Sequence, residues 1–119
     1  TCKDNISTHL QEFMKSSRYD GSHVLIANEV RKSRCNFRCD GISPCLTAKM
    51  GTGGNNVPVV VSEGRKLTER ECLRIMGYPD SYTIRKNFHQ SYKQIGNSVV
   101  VPIVKDISEE LVKILNQQL

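Results

Sequence analysis

The stretch Arg65-Lys-Leu-Thr-Glu-Arg-Glu-Cys-Leu-Arg-Ile-Met-Gly-Tyr-Pro79 carries a full set of helix start and stop signals. Thr68 and Glu71 have the spacing of a capping box, in which the hydroxyl accepts from the third helical amide and the carboxylate reaches back to the cap's own amide. Cys72, Leu73, Ile75 and Met76 supply a buried side, and Gly77 followed by Pro79 ends the helix. A short helix with one apolar face cannot fold alone, so its neighbours must supply the surface it covers.

Before it, residues 57–61 form a β-branched run that reads as a strand, and residues 45–49 read as another, joined by the glycine loop Gly51, Thr52, Gly53, Gly54, Asn55, Asn56. Residues 23–27 read as a further strand. Residues 28–40 are polar, basic and without period, a loop suited to contact rather than packing. Leu10, Phe13 and Met14 give residues 7–17 helical spacing. After it, Asn97 or Ser98 reads as the N-cap of a final helix, with Pro102 tolerated in the first turn because its missing donor would be unpaired there. Ile103, Ile107, Leu111, Ile114 and Leu115 form one apolar stripe on that helix, and the stripe needs a surface to cover.

The chain has 119 residues, one domain's length or a piece of a larger protein. Its apolar fraction is 38%, aromatics are 6% and there is no Trp, so the core is expected to be thin or shared with a partner. No apolar run approaches the roughly 20 residues of a membrane span, and no secretory signal is seen. The five cysteines lack disulfide-framework spacing. The expected compartment is the cytosol.

Net charge is +5, and residues 31–93 hold 12 Lys or Arg against 5 Asp or Glu, a local +7. Such a segment suits a polyanion, although a charge excess is commonly no more than a solvated face. The glycine loop lets backbone approach phosphate but lacks the Lys-Ser or Lys-Thr of a nucleotide P-loop. It therefore reads either as a plain turn or as a contact to the DNA backbone. Cys35, Cys39 and Cys45 have no common zinc spacing, and no metal is expected. Cys45 heads an expected strand and reads as structural, and His89 reads as a surface residue in a polar loop.

The quoted stretch, together with Ser43-Pro-Cys-Leu-Thr-Ala-Lys-Met-Gly-Thr-Gly-Gly54 before it and Gln90-Ser-Tyr-Lys-Gln-Ile-Gly-Asn-Ser-Val-Val-Val-Pro102 after it, resembles the C-terminal third of bacterial DNA cytosine-5 methyltransferases. Order and spacing also fit, the middle block resembling the family's ninth motif and the last its tenth. The resemblance implies an α/β enzyme that transfers a methyl group from S-adenosylmethionine to C5 of a cytosine flipped out of double-stranded DNA. As an isolated piece the expected class is α+β: a small β-containing recognition region over residues 1–64, and residues 65–119 returning to the Rossmann-like catalytic domain, on which the last helix packs.

In that family a Cys in Pro-Cys-Gln attacks the base and a Glu in Glu-Asn-Val assists. Neither motif is here, since Cys45 is followed by Leu46. The resemblance therefore assigns no catalytic residue to this chain and implies no turnover from it alone. It implies a fragment of a longer enzyme or one subunit of a split one, prone to self-association when isolated, with the N-terminal catalytic portion as partner and S-adenosylmethionine shared between the two. By position, Gly96, Asn97 and Ser98 form the turn against the cofactor's amino-acid end, Asn97 bonding its carboxylate, and Tyr78 lines the same pocket. Arg65, Arg70 and Glu71 brace the recognition region. Thr47, Lys49, Gly53 and Gly54 touch phosphates, and base contacts come from Arg31, Arg34 and Arg38. The rival reading is a non-catalytic basic DNA-binding module or a decayed methylase remnant.

Overall fold

A computed structural model describes residues 2–16, 18–52, 56–85 and 87–118, with Cys2 and Phe88 described by their backbones. The elements run α1 (Cys2–Lys15), β1 (Ile26–Asn28), β2 (Asn36–Arg38), a 3-10 turn (Ala48–Thr52), β3 (Val59–Val60), β4 (Arg65–Lys66), α2 (Glu69–Ile75), α3 (Phe88–Gly96) and α4 (Val101–Gln118). Four short antiparallel strands form one sheet in the order β2-β1-β3-β4. Helices on a small antiparallel sheet make this a mixed α/β piece, as the sequence implies.

Strand alternation divides the core in two. Ala27 and Val59 turn to one face, where Ile6 of α1 and Val30 join them and Phe13 stacks on Phe37 with ring centroids 4.9 Å apart. Val60 turns to the other, among Leu46, Met50, Val57, Leu67, Cys72, Leu73, Met76, Tyr92 and Ile95, and Ile26 packs at its margin. The second cluster joins α2, α3 and the 3-10 turn into one body.

Helix α4 belongs to neither cluster: none of its residues is buried, and Ile103, Ile107, Leu111, Ile114 and Leu115 are each more than half exposed. The radius of gyration, 17.5 Å, correspondingly exceeds the roughly 13.5 Å of a compact chain this long. The stripe is left uncovered.

Several expectations need correction. Helix α1 begins at Cys2 rather than Ser7, because Ile6 extends the Leu10 stripe by one turn behind polar residues that conceal it. The first strand lies at Ile26–Asn28 rather than over residues 23–27. Residues 28–40 are not a featureless loop: Asn36–Arg38 pairs with β1, held by Phe37 across to Phe13. Residues 45–49 form no strand. Met50 N–H donates to Thr47 O at 3.0 Å and Met50 is buried, which closes a 3-10 turn instead. Cys45, expected as a structural strand residue, is exposed in front of that turn. His89 lies not in a loop but in the first turn of α3. Finally, Asn97 is the C-cap of α3, and α4 starts only at Val101, so neither Asn97 nor Ser98 caps the last helix.

Candidate functional site

Helix α2 is fixed at both ends. Thr68 Oγ1 accepts from Glu71 N at 3.2 Å and Glu71 Oε2 accepts from Thr68 N at 2.8 Å, completing the capping box. The same carboxylate takes a two-pronged grip from Arg65, Nη1 at 2.9 Å and Nη2 at 2.8 Å, while Arg65 Nε also reaches Glu63. These Arg65 hydrogen bonds, with the Thr68 amide, hold the Glu71 carboxyl down at about 2. At the other end Tyr78 N–H donates to Leu73 O and Gly77 N–H to Arg74 O, both 3.0 Å, the paired bonds of a Schellman stop. Gly77 has φ +85°, and a Cβ there would stand 2.4 Å from Pro102 Cδ. The stop and the start of α4 are thus in contact, and Val101 N–H donates to Met76 O at 2.8 Å across the junction.

A cleft is lined by Leu73 and Tyr78, by the 82–85 loop, and by Ser91, Gln94, Ile95 and Ser98. Arg70 Nη2 donates to Tyr82 O at 2.8 Å and Arg74 clasps Asp80 at 2.8 and 2.9 Å, so α2 holds the loop in place. The Tyr78 and Tyr82 rings lie 5.0 Å apart. Ser98 Oγ commits its proton to Ile95 O at 2.6 Å, so toward a ligand it offers lone pairs. Gln94 offers both donor and acceptor. The cleft, about 100 Å³, is well below the roughly 300–1,000 Å³ of a complete small-molecule site. It can seat one end of an amphipathic ligand, with an apolar or aromatic part on Tyr78.

Of the residues read for a cofactor, Tyr78 and Ser98 line this cleft, and Asn97, next to Ser98, is exposed and is not among its lining residues. Gly96 packs against the 3-10 turn: a Cβ there would lie 2.1 Å from Thr47 C, so only glycine lets α3 meet that turn. Gly51 does the same from the turn's side, where a Cβ would lie 2.5 Å from His89 O, and His89 Nδ1 sits 3.2 Å from Gly51 O. Gln94, Tyr82 and Arg85 are not legible in the sequence as lining residues, because the helix that carries Gln94 is short and mostly polar.

The basic residues lie elsewhere. Thr47 and Lys49 are exposed on the 3-10 turn, and Gly53 and Gly54 lie outside the described residues. Arg31 donates to Val30 O at 3.2 Å and Asn56 Oδ1 at 2.6 Å; Arg34 pairs with Glu29 at 3.1 Å; Arg38 pairs with Asp40 at 2.8 Å. The 29–35 loop between β1 and β2 is held by the Arg31 and Arg34 contacts, by the buried Val30 and by Asn36 Nδ2 donating to Glu29. Among the described residues no group of three His, Cys, Asp or Glu stands close enough to hold a metal ion, and no helix is long and apolar enough to cross a membrane.

The family model of C-5 cytosine-specific DNA methylases matches residues 2–113. The chain belongs to that family. It is 45% identical over 87 residues to the type II methyltransferase M.Bsp6I of Bacillus sp. (strain RFL6), covering 71% of this chain and 26% of that protein. It is 47% identical over 132 aligned positions to the type II methyltransferase M.MspI of Moraxella sp., covering 95% of this chain and 31% of that one. Against M.HhaI of Haemophilus parahaemolyticus identity is 43% over 81 residues, 64% of this chain and 24% of the relative. The chain thus spans about a quarter to a third of the relatives it matches. No solved structure matches it.

Proposed function

We propose that this methylase chain is the C-terminal part of a DNA (cytosine-5-)-methyltransferase, supplying part of the DNA-recognition region and one wall of the S-adenosylmethionine pocket. One observation carries the reading: the cleft that Tyr78 and Ser98 line is too small for a complete small molecule, and the uncovered helix α4 begins three positions after Ser98. A partner seated on α4 would at the same stroke complete the cleft.

The cofactor, when bound, supplies the methyl group. The residues here fit one end of it: Tyr78 offers a ring face, Gln94 and Ser98 offer acceptors for an ammonium, and Gln94, with the exposed Asn97 beside Ser98, offers N–H donors for a carboxylate. Arg65, Glu71 and Arg70 act as braces, fixing β4 to α2 and α2 to the 82–85 loop. Thr47 and Lys49, on the exposed turn, contact phosphate, and the β1–β2 hairpin with Arg31, Arg34 and Arg38 faces the bases. The partner is the N-terminal catalytic portion, and the substrate is double-stranded DNA in a modification system.

Methyl transfer to duplex DNA tests this, with the chain alone, the N-terminal portion alone and the two combined. Activity is expected only in the combination. Activity of the N-terminal portion alone, unchanged by this chain, would instead support a non-catalytic DNA-binding module.

A further inference from the structure

The three arginines assigned to base contact differ in which edge of the guanidinium the protein already uses. Arg31 spends both terminal nitrogens on separate acceptors, Val30 O and Asn56 Oδ1. Arg34 gives a terminal nitrogen to Glu29 from a loop position, and its side chain is 65% exposed. Arg38 is held otherwise. Its Nε donates to Asp40 Oδ1 at 3.3 Å and its Nη2 to Asp40 Oδ2 at 2.8 Å, a side-on grip along the Nε edge. The outer hydrogens of the two terminal nitrogens remain, and they form the fork that matches O6 and N7 of guanine in the major groove.

The grip is itself anchored. Asp40 Oδ1 also accepts from Ile42 N at 3.2 Å, which fixes the carboxylate to the backbone. Arg38 closes strand β2, whose register on β1 sets it opposite Ile26. A side chain on a paired strand, clasped by a backbone-anchored carboxylate, loses little rotamer freedom on meeting a base, whereas one on a loop must be ordered then.

We propose that Arg38 reads a guanine edge in the DNA target and that Asp40 is the positioning residue that aims it. The inference rests on the reading of residues 1–64 as a DNA-recognition region. Asp40 stays ionised through the neutral range, since the hydrogen bonds from Arg38 hold its carboxyl at about 2. Its negative charge would by itself repel DNA, so its effect on cognate and on random sequence must differ if it acts through Arg38.

The experiment uses the chain combined with the N-terminal portion of the methylase. A random duplex pool first gives the preferred sequence, and 7-deazaguanine, which lacks the N7 acceptor, then replaces each guanine in turn. At one position the parent is expected to lose about tenfold or more in affinity, while Arg38→Ala is insensitive to the same replacement. Asp40→Asn is expected to lower the cognate-to-random ratio about five- to tenfold without weakening random-sequence binding. If Arg38→Ala stays as sensitive as the parent at every guanine, Arg38 reads none. An unchanged ratio in Asp40→Asn, or a loss confined to a cytosine position and independent of Arg38, overturns the positioning role. A parent that selects no sequence sinks the DNA-recognition reading itself, an outcome distinct from selection that ignores Arg38 and Asp40.

Discussion

Gly77 and Pro102 touch across the junction between the ninth- and tenth-motif segments so closely that a single added carbon at Gly77 would sit 2.4 Å from Pro102 Cδ. Gly77 also has φ +85°. Gly77→Ala therefore meets two penalties, left-handed strain and overpacking against a rigid ring, together about 2–4 kcal/mol. Gly64 is the control: its φ is +62° but nothing lies within 4 Å, so Gly64→Ala should cost only about 1–2 kcal/mol. Urea unfolding of both variants checks this. Equal losses would mean that Pro102 yields freely and the junction is not tight.

The Arg65–Glu71 clasp gives a pH signature. Glu71 titrates at about 2 in the folded chain against an ordinary 4.5, so the folded state favours the ionised form. Its contribution is present above pH 4.5 and is lost as the pH falls toward 2. Glu71→Gln should flatten the stability profile across that window while leaving its slope above about pH 5 unchanged. Chemical unfolding at steps between about pH 2 and 7 measures it, and an unaltered acid limb would show that the clasp contributes nothing net. Thr68→Ala, which removes the other half of the capping box, should cost about 1 kcal/mol at any pH.

Helix α4 carries the docking prediction. Ile107 is 57% and Leu111 55% exposed, and burying such a side chain fully contributes about 1.5–3 kcal/mol. The isolated chain should self-associate, and adding the N-terminal portion should convert it to a one-to-one complex. Leu111→Glu should abolish both without reducing helix content, because Leu111 is exposed and belongs to neither core cluster. Sedimentation velocity with circular dichroism decides. A strictly monomeric parent with no affinity for the N-terminal portion would refute docking through this face.

Lys49 should behave as a phosphate contact. In the combined protein Lys49→Ala should weaken binding to all sequences alike and reduce the salt slope by about 1. Anisotropy titrations at several salt concentrations would reveal the opposite result, a changed sequence preference at constant slope, which would move Lys49 among the base readers.

What is legible in the sequence follows the range of the interactions involved. The capping box, the Gly77 stop, the body of α1 and the apolar stripe of α4 rest on neighbours within a turn or two, and spacing reveals them. Helix α3 escapes such a reading because it is short and mostly polar: among its described side chains Ser91, Tyr92 and Ile95 are buried, and one of these is itself a serine. Its N-cap is nonetheless written in the chain, where Asn87 Oδ1 accepts from Gln90 N at 3.2 Å. The 3-10 turn cannot be read locally at all. It exists because Gly51 and Gly96, 45 positions apart in the numbering, let two backbones meet. Strand β2 likewise depends on Phe37 finding Phe13 in another element. Of the candidate site, Tyr78 and Ser98 are legible through family resemblance, whereas Gln94 becomes visible only once α3 is known.

Asn97 gives the sharpest test of the cofactor wall, and its observed position simplifies the experiment. As the N-cap of α4, its removal would cost stability as well as any ligand contact. It is instead the C-cap of α3, in right-handed backbone at φ −87° and ψ −5° with an exposed side chain. Alanine adopts that conformation without strain, so Asn97→Ala should leave the unfolding midpoint nearly unchanged. A charge-assisted hydrogen bond to a carboxylate is worth about 1.5–3 kcal/mol. Asn97→Ala in the combined protein should therefore weaken S-adenosylmethionine binding about ten- to a hundredfold. Asn97→Asp should weaken it further, since it sets one negative charge against another, and should also cost about 0.3–1 kcal/mol of stability at the negative end of α3. Calorimetric titration with the cofactor, well below the midpoint of each variant, separates the two effects. If Asn97→Asp binds as tightly as the parent, no carboxylate faces residue 97, and the assignment of Asn97 to the cofactor's amino-acid end fails.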